Sequence, residues 1–180
     1  MLLNVEQQRK MLELARKSIE TYLKTGKKLQ ATETDPVLVK EMGAFVTLHK
    51  EGKLRGCIGK MIGNQPLYLT IRDMAIEAAT GDPRFNSVKA SELKDIDLEI
   101  SVLSPMERVA CVDDIKLGVH GVLVRCGFKS GVFLPQVATE TVWSKEEFLS
   151  QLCSQKAGLP ADAWKDKSTE LYTFNAEVFK

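Results

Sequence analysis

Apolar residues recur at helical spacing near the start of the chain, where Met11, Ala15, Ile19, Tyr22 and Leu23 make one stripe. Asn4 precedes the stripe as an N-cap with Gln7 three residues on, and Gly26 follows as a stop. A helix from Asn4 to about Gly26 is predicted. Lys27 to Pro36 is polar and aperiodic, as a surface loop is. Gly43 to His49 then reads as a strand, Lys50-Glu51-Gly52-Lys53 as a turn and Leu54 to Gly59 as the returning strand. Pro66 suits the first turn of a second helix, in which Leu67, Ile71, Ala75 and Ala78 share one side and Gly81 is the end.

Asp97 to Leu103 alternates with a period of two, and apolar runs at Gly121–Val124 and Val132–Pro135 predict further strands joined by a turn over Gly127–Gly131. Ser144-Lys145-Glu146-Glu147 matches a capping box that opens a third helix, Glu146 to about Lys156, with Gly158 as stop and Pro160 beyond. From Leu171 to Phe179 the pattern alternates again, with Tyr172, Phe174, Ala176 and Val178 on one face of a half-buried closing strand. Hairpins recur and no βαβ rhythm appears, which predicts an α+β fold with mainly antiparallel sheet. At 180 residues the chain is long enough for a real core and is expected to form one folding unit.

Charge narrows the function classes more than composition does. The 25 basic and 24 acidic residues leave a formal net charge of +1, spread along the chain, so the electrostatic footprint of nucleic-acid binding is absent. No basic segment followed by an apolar run opens the sequence, and no stretch approaches the ~20 apolar residues needed to span a bilayer. A cytoplasmic protein without membrane contact is expected. Cys57, Cys111, Cys126 and Cys153 form no C-x-x-C pair, and only His49 and His120 exist to complement them. Reduced thiols are expected, with no metal centre. The common phosphate-loop, dinucleotide, hydrolase-elbow and zincin motifs are missing, and no cofactor is expected.

Candidate chemistry centres on Leu54-Arg55-Gly56-Cys57-Ile58-Gly59. On a regular strand Arg55 and Cys57 share a face roughly 7 Å apart, and a cation near a thiol favours the thiolate. Gly56 and Gly59 leave room for a ligand or another backbone to approach. A two-residue Glu51-Gly52 turn would set Val46 opposite Cys57 and turn His49 away from it; a bulge would shift that register and could bring the two together. The histidine partner expected on the regular register is His120, in Gly118-Val119-His120-Gly121. In Gly81-Asp82-Pro83-Arg84-Phe85, Asp82 can orient Arg55 or accept a proton, and Arg84 can hold a carboxylate or phosphate by its planar fork. Structurally, Asp82 can equally cap backbone amides while Arg84 pairs with a surface acid and Phe85 fills the core. Gln136, in Leu134-Pro135-Gln136-Val137, can read a ligand or satisfy nearby backbone. Trp143 and Trp164 read as packing residues.

Together, Leu54–Gly59, Asp82–Phe85, Leu98–Ser104, Gly118–Gly121 and Leu134–Val137 resemble the AMMECR family, named for the AMME syndrome chromosomal region. Gly158-Leu159-Pro160 with Trp164, and Tyr172–Phe179, resemble its C-terminal pattern. The resemblance covers the chain from the first helix to Phe179. It implies one AMMECR-type domain over residues 1–180, with two closely packed lobes of mainly antiparallel sheet and a cleft beside Leu54–Gly59. It also implies a pathway shared with Memo-like and radical-SAM proteins, beside which prokaryotic members are often encoded, and leaves the reaction open. Two expectations follow. One is an enzyme acting on a small polar or anionic substrate, with Cys57, Arg55, Asp82 and His120 catalytic and Arg84, Gln136, Gly56 and Gly59 binding. The other is a non-catalytic module that binds a ligand or a protein in the same cleft.

Overall fold

Asn4 accepts the Gln7 main-chain N–H at 2.9 Å, and Gln7 Oε1 accepts the Asn4 N–H at the same distance. This reciprocal capping box opens α1 (Val5–Thr25) in the computed structural model, which describes residues 2–180. Gly26, at φ 69°, closes the helix by donating to the Tyr22 carbonyl. The chain divides into two compact units, one made of residues up to Leu103 together with Glu177–Lys180, the other of Ser104–Ala176.

In the first unit, β1 (Ala44–Lys50) pairs antiparallel with β2 (Lys53–Lys60) on one side and with β3 (Ile96–Leu103) on the other. Glu51 and Gly52, both with positive φ, make the tight turn between β1 and β2. Ala44, Val46 and Leu48 of β1 and Leu98, Ile100 and Val102 of β3 are buried. They join Ala15 and Ile19 of α1 and Ile71, Ala75 and Ala78 of α2 (Leu67–Thr80) in one core. A fully buried leucine such as Leu48 contributes about 2 kcal/mol. By strand alternation, the other sheet face carries Phe45, Thr47, His49, Cys57, Glu99 and Ser101. A 3-10 turn over Ala90–Asp95 leads into β3.

In the second unit, β5 (His120–Cys126) pairs antiparallel with β6 (Lys129–Phe133) and with β7 (Glu170–Phe179), whose residues from Glu177 on belong to the first unit, and β7 also pairs with the two-residue β4 (Glu107–Arg108). Val122, Val124, Phe133 and Leu171 pack against Phe148 and Leu149 of α4 (Lys145–Gln151). Ser144 opens α4 with the expected capping box.

The fold is α+β, with strands and helices close to their predicted places, and several local expectations are corrected. The hairpin turn is tighter than Gly127–Gly131, because Cys126 already pairs with Lys129. Pro135 does not end a strand; it opens the short helix α3 (Pro135–Glu140), where its fixed φ and missing N–H cost nothing. The third helix changes to π-helical winding over Leu152–Ala157 before Gly158 closes it at φ 61°. On β7 the buried residues are Leu171, Phe174 and Phe179, while Val178 is exposed. Strict alternation is lost there.

Candidate functional site

The β1–β2 register begins as a two-residue turn dictates, with Lys50 opposite Lys53 and His49 opposite Leu54. It then slips by one: Leu48 faces Gly56 and Thr47 faces Cys57, so Arg55 is the extra residue of a β-bulge. The predicted pairing of Val46 with Cys57 is thereby corrected. Thr47 Oγ1 donates a hydrogen bond to Cys57 Sγ at 3.2 Å. The thiol is half-buried on the sheet face opposite α1 and α2.

The bulge also corrects the regular-strand placement of Arg55. Its guanidinium donates to the Asn86 carbonyl at 2.9 Å and to Glu92 Oε2 at 3.3 Å, with the side chain largely buried. Glu92 collects the Lys89 N–H and Lys50 Nζ as well, and these bonds, the backbone one foremost, hold its carboxyl down at about 2. Asp82 does not orient Arg55. It is buried, and its ion-pair partner is Arg84, whose Nε donates to Oδ1 at 2.9 Å and whose Nη2 donates to Oδ2 at 2.7 Å.

Asp82 Oδ2 also accepts the Cys57 N–H at 2.9 Å, and Arg84 Nη2 donates to the Cys57 carbonyl at 3.2 Å. Both main-chain groups that Cys57 presents at the sheet edge are therefore satisfied by one side-chain ion pair. The Arg84 bonds, first among the causes, hold the Asp82 carboxyl well below the usual carboxylate range. The Nε and Nη2 edge of the Arg84 fork is taken by Asp82, and its guanidinium carbon lies 5.5 Å from the Phe85 ring centroid.

The two glycines serve packing. A Cβ on Gly56 would stand 2.1 Å from the Ala78 carbonyl oxygen, so only glycine lets β2 meet the last turn of α2. A Cβ on Gly59 would stand 2.2 Å from Phe45 Cδ1: the Phe45 ring lies over Gly59.

His120 and Gln136 belong to the second unit. His120 Nδ1 accepts the Lys116 main-chain N–H at 3.3 Å, and the His120 main-chain N–H donates to the Lys116 carbonyl. Gln136 is exposed in the first turn of α3. Trp143 and Trp164 pack on the second core, where Trp164 Nε1 donates to Ser150 Oγ. Cys111 is exposed and Cys126 half-buried, while Cys153 is buried, and desolvation pushes its thiol up. Among the described residues no group of three or more His, Cys, Asp or Glu is placed to hold a metal ion, and no helix is long and apolar enough to cross a membrane. A cleft of about 550 Å³ in the first unit lies elsewhere, lined by Leu12, Arg16, His49, Asp97, Leu98 and Lys180. Its Arg16 is already bonded to the Leu93 and Ile96 carbonyls and its Lys180 to Glu99.

Thr47, Phe45 and Glu92 are the neighbours that sequence reasoning overlooked. Thr47 and Phe45 alternate with the buried face of β1 and so lie on the thiol's face, but a one-residue slip decides which of them meets Cys57.

A family model described as AMMECR1 matches residues 12–179, in agreement with the resemblance read from the sequence. A protein of Methanothermobacter thermautotrophicus is 44% identical over 184 residues, covering 98% of this chain and 95% of its own. One from Thermococcus onnurineus is 44% identical over 181 residues, covering 94% and 88%. The crystal structure of an uncharacterized protein from Pyrococcus horikoshii superposes with a TM-score of 0.84 at 41% identity, covering 99% of this chain and 93% of that one. With the match running from α1 to the end of β7, the chain belongs to the AMMECR1 family.

Proposed function

We propose that the sheet face around Cys57 is a reaction site at which the Cys57 thiol attacks a small polar or anionic substrate. The observation that carries this reading is the way the cysteine is held. An ion pair whose carboxylate is buried fixes its N–H and its C=O, while its side chain stays half-buried with a hydroxyl donor, Thr47, on the sulfur. The hydroxyl orients the sulfur, whose deprotonated form is the nucleophilic species. In the step this permits, the thiol proton passes to solvent and the sulfur lone pair forms a bond to an electrophilic carbon. The carbon's π pair moves onto its heteroatom, which takes a proton in turn. Asp82 and Arg84 act as positioning residues through their bonds to the Cys57 main chain, and Arg55 holds its own segment of β2 to Asn86 and Glu92.

The same commitment of Arg55 and Arg84 favours a second reading, a binding module in which Cys57 is a packed residue. Alkylation by iodoacetamide, followed residue by residue by peptide mass spectrometry over a range of pH, separates the two. Native labelling of Cys57 at least as fast as that of exposed Cys111 supports the thiol reading. Labelling of Cys57 only on unfolding, as expected of buried Cys153, overturns it.

A further inference from the structure

From the geometry of Phe45 we infer that the Cys57 site takes substrates carrying a flat apolar or aromatic group beside the electrophilic carbon, with Phe45 as the wall on which that group lies. This rests on the thiol reading and adds the class of substrate. Phe45 and Thr47 are neighbours on one face of β1, as Gly59 and Cys57 are on β2, and the two pairs stand directly opposite: Phe45 to Gly59, Thr47 to Cys57. The bond from Thr47 Oγ1 to Cys57 Sγ and the contact of Phe45 with the missing Cβ of Gly59 put all four on the same side. The ring thus lies about 7 Å along the strands from the thiol, the spacing of successive same-face positions.

A side chain at residue 59 would lift the ring off the sheet, since its Cβ would fall within 2.3 Å of both Phe45 Cγ and Cδ1. Glycine lets the ring rest against β2, one strand step from the sulfur. Phe45 is not part of the core: α1 and α2 pack on the other face, where Ala44 and Val46 are fully buried, and Phe45 retains exposed surface. A half-buried ring resting on β2 one strand step from a thiol is suited to offset stacking with a planar substituent. The polar part of the same substrate would then lie on the Thr47 side, where Glu99 is the next cross-strand neighbour.

The test compares two maleimides that react by the same addition, N-phenylmaleimide and N-methylmaleimide, on the full chain, reading the rate constant at each cysteine and using Cys111 to cancel their different intrinsic reactivities. The Cys57 sulfur adds to the ring double bond and the adjacent carbon takes a proton from water. The phenyl-to-methyl rate ratio at Cys57 is expected to exceed that at exposed Cys111 by about fivefold to tenfold. Phe45→Leu should bring the two ratios together, whereas Phe45→Tyr, which keeps the ring, should preserve the difference. If Phe45→Leu does not fold, Gly59→Ala supplies the loss-of-stacking variant, and the wild-type ratio is decisive without either. Equal ratios at Cys57 and Cys111 in the wild type would overturn the wall while leaving the thiol reading intact. Failure of Cys57 to react with either reagent in the native state would overturn both.

Discussion

Asp82 accepts the main-chain N–H of Cys57 at 2.9 Å across 25 positions of sequence, standing where a neighbouring strand's carbonyl would stand. Arg84 completes the imitation from the donor side. Replacing Asp82 by asparagine keeps an oxygen for the N–H but removes the charge that closes the Arg84 fork. We expect Asp82→Asn to lower Tm by about 3 °C or more in a thermal melt. Arg84→Lys, which keeps charge without the planar fork, should fall between it and the wild type. An unchanged melt for Asp82→Asn would mean that the pair holds nothing together.

Acid should weaken the first unit in a defined range. Glu92 is held at about 2 against an ordinary 4.5, and Asp82 is also depressed, chiefly by Arg84. A carboxyl whose pKa is lower folded than unfolded adds stability that is complete above its unfolded value and lost as pH falls through the folded one. The loss therefore begins near pH 4.5 and continues to about 2 for Glu92, and lower still for Asp82. Urea midpoints should be flat at neutral pH and fall below about pH 4.5. Glu92→Gln should lower the neutral plateau and flatten the upper part of the acid limb; an acid limb as steep as that of the wild type would contradict it.

Gly56→Ala should destabilise the fold by about 2 kcal/mol, because the new methyl meets a helix carbonyl that cannot turn aside. Urea denaturation measures it. A stability equal to that of the wild type would show that α2 can retreat from β2 at no cost.

Thr47→Val keeps the volume of the side chain and removes the only donor it gives to Cys57 Sγ. Alkylation of Cys57 should slow several-fold at neutral pH, roughly the effect of one lost hydrogen bond, while Cys111 should be unaffected and Thr47→Ser should restore the rate. Slowing of all the cysteines together would point to a global change instead.

Most of the architecture was legible because it follows from local chemistry. Asn4, Gly26 and Ser144 mark helix ends through capping groups within a turn of themselves, and the turn at Glu51-Gly52 follows from its glycine. The candidate site was legible only as a set of residues. Cys57, Asp82 and Arg84 do come together, while Arg55 turns to Glu92 and Asn86, and a one-residue bulge decides that Thr47 meets the sulfur. A bulge is set by pairing with β1 and packing against α2, and periodicity in β2 alone does not announce it. The break in alternation along β7 and the π-helical end of α4 were hidden for the same reason: each is imposed by contacts distant in sequence.

Outermost strands invite pairing with a second molecule, and most proteins discourage it with charge, proline or distortion of the strand. β2 carries the bulge at Arg55 and, at Cys57, a charged plug drawn from its own chain. The plug works only while Asp82 is ionised. Because Asp82 is held lower than Glu92, the plug outlasts the first loosening of the unit, so β-rich aggregates should appear only at the acid end of the limb, after the Glu92 contribution has been lost.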